Sequence, residues 1–267
     1  MSAAGFPLAV RGLGAGYRNR KVIENLSLDT IAPGSFTALV GPNAAGKSTL
    51  LRALAGLVPA SGSVRLGDTE LMDLKLAERA SHVAFMPQTL PQGAELTVLE
   101  GVIGALKASP LAEFDGGLAA ARRRAVDVLD RLGIVDLALE GIGRLSGGQR
   151  QMASLAQAMV RAPKLLLLDE PTSALDLRHQ LDVMTIIREL AAEGRIVVAV
   201  LHDLTLAAAH ADHVVVLDHG RCAAQGTPDA AITPALLGQV YGVAARVERC
   251  SRGRLHIAVD GPAATAA

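Results

Sequence analysis

An α/β fold is predicted, in which a mostly parallel sheet carries an antiparallel β subdomain at its N-terminal side and an inserted α-helical subdomain. Three observations predict it. Short, wholly apolar runs alternate with helix-periodic segments, the pattern of parallel strands covered on both faces; Leu165–Leu168 and Ile196–Leu201 are the clearest of these runs. A glycine-bounded loop, Gly41-Pro42-Asn43-Ala44-Ala45-Gly46-Lys47-Ser48-Thr49, stands between one such strand and one such helix. Residues 97–160 keep helical periodicity with no strand-like run, which marks a helical insertion in an otherwise alternating chain. Together they describe an α/β core with a P-loop between strand and helix.

Each element has a local reason. Residues 6–17 alternate as an antiparallel strand broken by Gly12, Gly14 and Gly16, and Val22–Ile31 alternates again before Pro33-Gly34 turns the chain. Ser35–Val40 reads as a buried strand, and Leu50, Leu51, Leu54 and Leu57 recur at helical spacing after the loop. Residues 62–66 read as an edge strand, 76–81 as a short helix and His82–Met86 as an apolar strand ending at Pro87-Gln88. In the insertion, Val98–Leu106, Leu118–Leu132 and Gly147–Arg161 are helical, and Pro163 stops the last of them. An amphipathic helix through Leu181, Met184, Ile187 and Leu190 ends at Gly194. Beyond the next strand, Val214–Leu217 and Cys222–Gln225 form a hairpin around His219-Gly220, 228–241 gives short helices, Val247–Val259 a further hairpin, and Gly261–Ala267 a disordered end.

Chemistry concentrates in a few places. The glycine-bounded loop fits G-x-x-x-x-G-K-[ST]; its backbone N–H groups and the helix start converge where phosphate oxygens are favoured. Lys47 is placed to reach the β- and γ-phosphates of a nucleotide and Ser48 to hold Mg²⁺. Ser146 is an N-cap, and Gly147-Gly148 leave first-turn N–H groups bare, which makes either a second phosphate-seeking helix start or a plain cap. The leucine run ends in Asp169 and Glu170, carboxylates that belong in a cleft rather than a core. Asp169 is placed to hold Mg²⁺ through water and Glu170 to polarise an attacking water. Gln88 at its strand end is a Mg²⁺ or water ligand, or an ordinary loop residue. His202 is a ligand-facing or a structural histidine. Ligands of open α/β sheets bind outside the carboxyl ends of the strands; the loop 41–48, Gln88, Asp169/Glu170 and His202 all fall there and should share one crevice. Spacing alone favours Tyr17 as a half-buried strand residue over an aromatic face for a purine.

Composition excludes several classes. Lys+Arg and Asp+Glu are 26 each, so no basic excess points to nucleic acid, and aromatics at 2% leave few stacking platforms. Cys222 and Cys250 are too few for a disulfide framework. No stretch approaches a membrane span and Met1–Val10 does not read as a signal segment, so a soluble, cytoplasmic protein is expected, one that can still dock on a membrane protein.

With these residues laid out, the chain resembles the nucleotide-binding subunit of an ATP-binding cassette (ABC) transporter over about residues 6–240. GPNAAGKST is similar to Walker A, Gln88 to the Q-loop, LSGGQ at 145–149 to the family signature, LLLLDEP at 165–171 to Walker B, SALD at 173–176 to the D-loop and His202 to the H-switch. The resemblance implies ATP and Mg²⁺ as cofactors, Glu170 as general base, His202 at the γ-phosphate, Gln88 and Asp169 beside Ser48 at the metal, and Tyr17 stacked on adenine. It implies that Ser146, Gly147, Gly148, Gln149 and Asp176 close on the nucleotide of a second copy, head to tail. It implies a nucleotide-binding domain over 1–245, its helical subdomain at about 90–162, with 246–267 a hairpin and tail. Ala44 departs from the usual glycine; if φ is positive there, it adds strain of order 1 kcal/mol. Ser173–Gln180 and Val240-Tyr241-Gly242-Val243 are similar to cassettes serving iron–siderophore, haem and cobalamin uptake, which implies an iron–siderophore importer ATPase. Its permease would seat coupling helices around Gln88 and residues 89–105, with a binding protein delivering substrate, on the cytoplasmic face of the inner membrane. Cassettes of DNA maintenance or of ribosomes usually carry a long coiled coil or a second cassette, and neither is present here.

Overall fold

The computed structural model describes residues 5–18, 20–89, 96–108 and 117–263. In chain order the strands and helices are β1 (Leu8–Tyr17), β2 (Arg20–Ile31), β3 (Phe36–Val40), α1 (Lys47–Leu54), β4 (Ala60–Leu66), β5 (Thr69–Glu70), α2 (Leu76–Arg79) and β6 (Val83–Met86). The helical insertion gives α3 (Val98–Lys107), α4 (Gly117–Arg131) and α5 (Gly147–Met159). The chain returns to the sheet with β7 (Leu165–Leu168), α6 (Leu177–Ala192), β8 (Ile196–Val200), α7 (Leu204–His210), β9 (His213–Asp218) and β10 (Arg221–Gly226). Short helical turns lead to the last hairpin, β11 (Val243–Arg249) and β12 (Leu255–Pro262).

Strands β10-β9-β3-β8-β7-β6 form a six-stranded sheet, parallel except at its β10 edge. Its interior strands are mostly apolar because both faces are covered; Thr37 of β3 and His213 and Asp218 at the ends of β9 are the polar positions. The four leucines of β7 divide evenly: Leu166 and Leu168 enter the core shared with the helical insertion and α6, Leu165 and Leu167 the core under the antiparallel sheet and α1. Phe36, Ala38 and Val40 likewise face the first core and Leu39 the second. The antiparallel sheet has the order β2-β1-β4-β5.

Three expectations need correction. α1 ends at Leu54 and Leu57 is 49% exposed, because Gly56 at φ 77° turns the chain out of the helix. β4 is not an edge strand: it pairs with β1 on one side and with the two-residue β5 on the other. The last hairpin is longer than 247–259. β11 begins at Val243, and β12 continues through Gly261 and Pro262, which read as a loose end in the sequence. Arg246 and Asp260 pair across the two strands on the exposed face of this hairpin. Residues 264–267 lie outside the described residues, as do 90–95 of the segment expected to meet a permease.

Candidate nucleotide site

The parallel register brings the carboxyl ends of β3, β8, β7 and β6 side by side. The glycine-bounded loop leaves β3, His202 follows β8, Asp169 and Glu170 follow β7, and Gln88 follows β6. The loop's shape needs its glycines. Gly41 (φ 145°) lies so close to β9 that an added Cβ would stand 2.1 Å from the Leu217 carbonyl, and Gly46 (φ 101°) opens α1 in the left-handed region. Ala44 sits at φ 62°, so the strain its departure from glycine raised is present. Pro42, Asn43, Ala45 and Thr49 complete the loop; Ala45 and Thr49 are buried, and the Ala45 N–H bonds the Pro42 carbonyl at 3.3 Å.

Lys47 is buried, and its Nζ donates to the Gly41 and Pro42 carbonyls, each at 2.7 Å. Burial pushes its pKa down, against the pull of Glu170 and Asp169. Ser48 Oγ donates to Asp169 Oδ1 at 2.9 Å. Asp169 is fully buried and its Oδ2 has no partner among the described residues. That burial pushes its pKa up, opposed first by the Ser48 hydrogen bond. A serine hydroxyl beside a carboxylate with an oxygen to spare is a hard-oxygen donor set that fits Mg²⁺.

Glu170 is held at φ 56°, an uncommon conformation for a non-glycine residue. Its Oε1 lies 2.7 Å from His202 Nε2, and its Oε2 accepts from the Gln88 side-chain amide at 2.8 Å. Its backbone carbonyl accepts from Gln151 Nε2 of α5 and from Ser173 Oγ. Sequence reasoning gave Gln151 no role. The available signal was a buried polar residue beside Met152 and Leu155 on the packed face of a helix.

A cavity of about 310 Å³ is lined by Tyr17, residues 43–49 of the loop, Glu170, His202, Arg20 and Val22. Tyr17 ends β1 at 42% exposed and also lines this cavity, and its hydroxyl accepts from Arg52 of α1 at 3.2 Å.

Ser146, Gly147, Gly148, Gln149 and Asp176 are not in that cavity. They line another, of about 490 Å³, with Ala174, Leu175 and His179. Helix α5 starts at Gly147 behind a capping box: Ser146 Oγ accepts from the Gln149 N–H at 3.2 Å while Gln149 Oε1 accepts from the Ser146 N–H at 2.9 Å, and this cap leaves the Gly147 and Gly148 N–H groups to other acceptors. Asp176 caps α6, its Oδ1 accepting from the His179 N–H and facing His179 Nδ1 at 2.8 Å. The His179 backbone amide, then its ring, holds the Asp176 carboxyl below the usual range.

A phosphate-shaped loop after one parallel strand, facing a carboxylate pair at the end of another, defines a nucleotide-binding cassette of the P-loop class. Known proteins agree. Residues 23–173 match the family model described as ABC transporter. The chain is 38% identical to a hemin import ATP-binding protein HmuV of Rhodopseudomonas palustris, over 92% of this chain and 94% of that protein. It is 43% identical to HmuV of Nocardia farcinica (88% and 80%) and 37% identical to the ferric enterobactin transport ATP-binding protein FepC of Escherichia coli (85% and 84%). Among solved structures it resembles an ABC transporter of the metal-chelate type in an inward-facing conformation, with a TM-score of 0.78 and 26% identity over 96% and 97% of the two chains. It also resembles a dimeric ATP-binding cassette in a post-hydrolysis state bound to ADP and Pi, with a TM-score of 0.75 and 26% identity over 83% and 98%. The chain belongs to the ABC transporter family and is an ATPase.

Proposed function

We propose that the chain is the ATP-hydrolysing subunit of an importer that drives an iron chelate, an iron(III)–siderophore or haem, through a separate permease. The observation that carries the reading is the division of phosphate-seeking groups between two cavities of one chain, with Tyr17 and the loop 41–49 in one and Ser146–Gln149 and Asp176 in the other. Two copies arranged head to tail would set the Ser146 cap of one subunit against the loop of the other, enclosing ATP twice. The likeness to hemin import and ferric enterobactin transport proteins supports the substrate class. The domain making these contacts is residues 1–245, with the second cavity presented largely by the helical subdomain at about 90–162.

In this reading the Tyr17 ring lies against adenine, and Lys47 exchanges its two loop carbonyls for β- and γ-phosphate oxygens. Ser48, Asp169 and Gln88 would hold Mg²⁺, which supplies charge neutralisation between the phosphates when bound. Glu170 takes a proton from the water that attacks the γ-phosphorus as the bond to the ADP oxygen breaks. His202 holds the carboxylate on one side and the γ-phosphate on the other.

Partners follow from the surface. An apolar groove of about 610 Å³ opens beside Pro87, the residue before Gln88, and is lined by α2, α3, α5 and β6. A permease seated there reports its state to Glu170 through Gln88. Among the described residues no helix is long and apolar enough to cross a membrane. The subunit would therefore be held peripherally at the cytoplasmic face of the inner membrane by that permease, with a substrate-binding protein acting on the far side. The test is reconstitution with the permease in vesicles, followed by ATP-dependent uptake of a ferric siderophore and of haem. Uptake of either supports the reading; ATP hydrolysis with uptake of neither, binding protein present, overturns the substrate class.

A further inference from the structure

Glu170 keeps a backbone conformation that its sequence context opposes. It is not glycine, yet it sits at φ 56°, and Pro171 behind it favours extended backbone in the residue before a proline. Such a conformation persists only where the surroundings over-determine it. Here three donors meet on the Glu170 carbonyl: Gln151 Nε2, Ser173 Oγ at 3.3 Å and the Ser173 N–H at 3.4 Å. The two long bonds from Ser173 belong to the turn that leaves Glu170. The Gln151 bond comes from α5, in the helical insertion. Gln151 is 6% exposed and stands beside Met152 and Leu155 of the core. An amide in such a place costs free energy unless it is hydrogen-bonded, and a methionine would fill the same space without that cost. The partner this amide finds is the Glu170 carbonyl.

The carboxylate of the same residue is spanned by Gln88 and His202. Those two contacts need the Glu170 side chain to leave the backbone in one direction, and anchoring the peptide oxygen fixes that direction. Resting on the reading of Glu170 as general base, we propose that Gln151 is a positioning residue for ATP hydrolysis: its amide anchors the Glu170 peptide so that the carboxylate stays between Gln88 and His202. Gln151 lines neither of the two cavities, so its influence passes through Glu170 rather than through the nucleotide.

The test is steady-state ATP hydrolysis by the full chain. Gln151→Met keeps the side chain's length and removes the donor; kcat should fall about tenfold while KM for ATP stays within about twofold of the native value. In a Glu170→Gln background the same change should cost nothing further, because residues that act as a unit are not additive. Ser173→Ala, at an exposed position, should lower kcat about twofold, again without moving KM. A thermal scan and an ATP titration check that each variant is folded, and Ser173→Ala decides if Gln151→Met is not. Unchanged kcat, a KM that rises in step with the loss, or a further loss in the Glu170→Gln background would overturn the proposal. Those outcomes leave the base assignment standing wherever Glu170→Gln alone is slow. Native-rate hydrolysis by Glu170→Gln would overturn the base reading itself.

Discussion

His202 Nε2 stands 2.7 Å from Glu170 Oε1, across the gap between the ends of two neighbouring strands. The other carboxylate oxygen accepts from Gln88, so Glu170 is gripped from both sides before any water is in place. The grip fixes where a proton can be taken. Glu170→Gln should therefore retain ATP binding while steady-state hydrolysis falls about 10²- to 10⁴-fold, the range of a lost general base. Phosphate release with a separate ATP-binding titration checks it, and hydrolysis at the native rate would assign the base elsewhere.

Ser146 lies in a different cavity from Lys47, so a bulky cation at Ser146 cannot touch the nucleotide bound by its own chain. Ser146→Arg should abolish hydrolysis and nucleotide-driven dimerisation yet leave monomer ATP affinity unchanged. Stability should drop by about 1 kcal/mol, because the Ser146 side chain also caps α5. Light scattering with and without ATP reads the dimer; equal loss of ATP binding and hydrolysis would argue against contact across two subunits.

Local signals made most of this legible. The leucine run at 165–168 demanded a doubly covered strand, and a strand, loop and helix around Lys47 left little freedom for the loop between them. The shared rim of Gly41, Gln88, Glu170 and His202 followed from the rule for open parallel sheets. What stayed hidden depends on residues distant in sequence. Gln151 reaches the Glu170 carbonyl only because α5 packs under the end of β7, and no periodicity encodes that. The true span of the last hairpin is set by the pairing of its two strands, while its own stretch of small and charged residues gives a weak strand signal. The place of Tyr17 at the rim of the loop's cavity has a similar origin, since it depends on where β1 ends relative to α1.

Asp169 makes a stability prediction of its own. Its carboxyl is pushed above the ordinary value of 3.8, chiefly by burial, so the folded chain holds this proton more tightly than the unfolded chain. Stability from this group is therefore present below pH 3.8 and is lost as pH rises through the higher folded pKa. At neutral pH the raised pKa of this half-satisfied carboxyl counts against the folded state. Asp169→Asn should raise the melting temperature of the nucleotide-free protein at pH 7 by about 2–4 °C per kcal/mol relieved, with a smaller gain near pH 4. The same change should remove the extra stabilisation that MgATP gives the unaltered chain. A thermal scan at both pH values, with and without MgATP, measures all of this. A lower melting temperature at pH 7 would mean that Oδ2 is not an unpaired burden.

Two adjacent alanines should answer glycine substitution with opposite signs. Ala44 is held at φ 62°, where an L-residue is penalised by about 1–2 kcal/mol relative to its right-handed form. Ala44→Gly removes that penalty and loses about 0.4–1 kcal/mol to the greater freedom of glycine in the unfolded chain. The balance should be neutral to stabilising by about 1 kcal/mol. Ala45 is 3% exposed, packs in the core under the antiparallel sheet and is not among the positive-φ residues. Ala45→Gly relieves nothing, frees the unfolded chain and deletes a buried methyl, so it should cost about 1 kcal/mol or more. Urea unfolding of the two variants beside the unaltered chain separates the cases. Equal destabilisation at both positions would show that the strain is not seated at Ala44, and that the loop accepts alanine there without penalty.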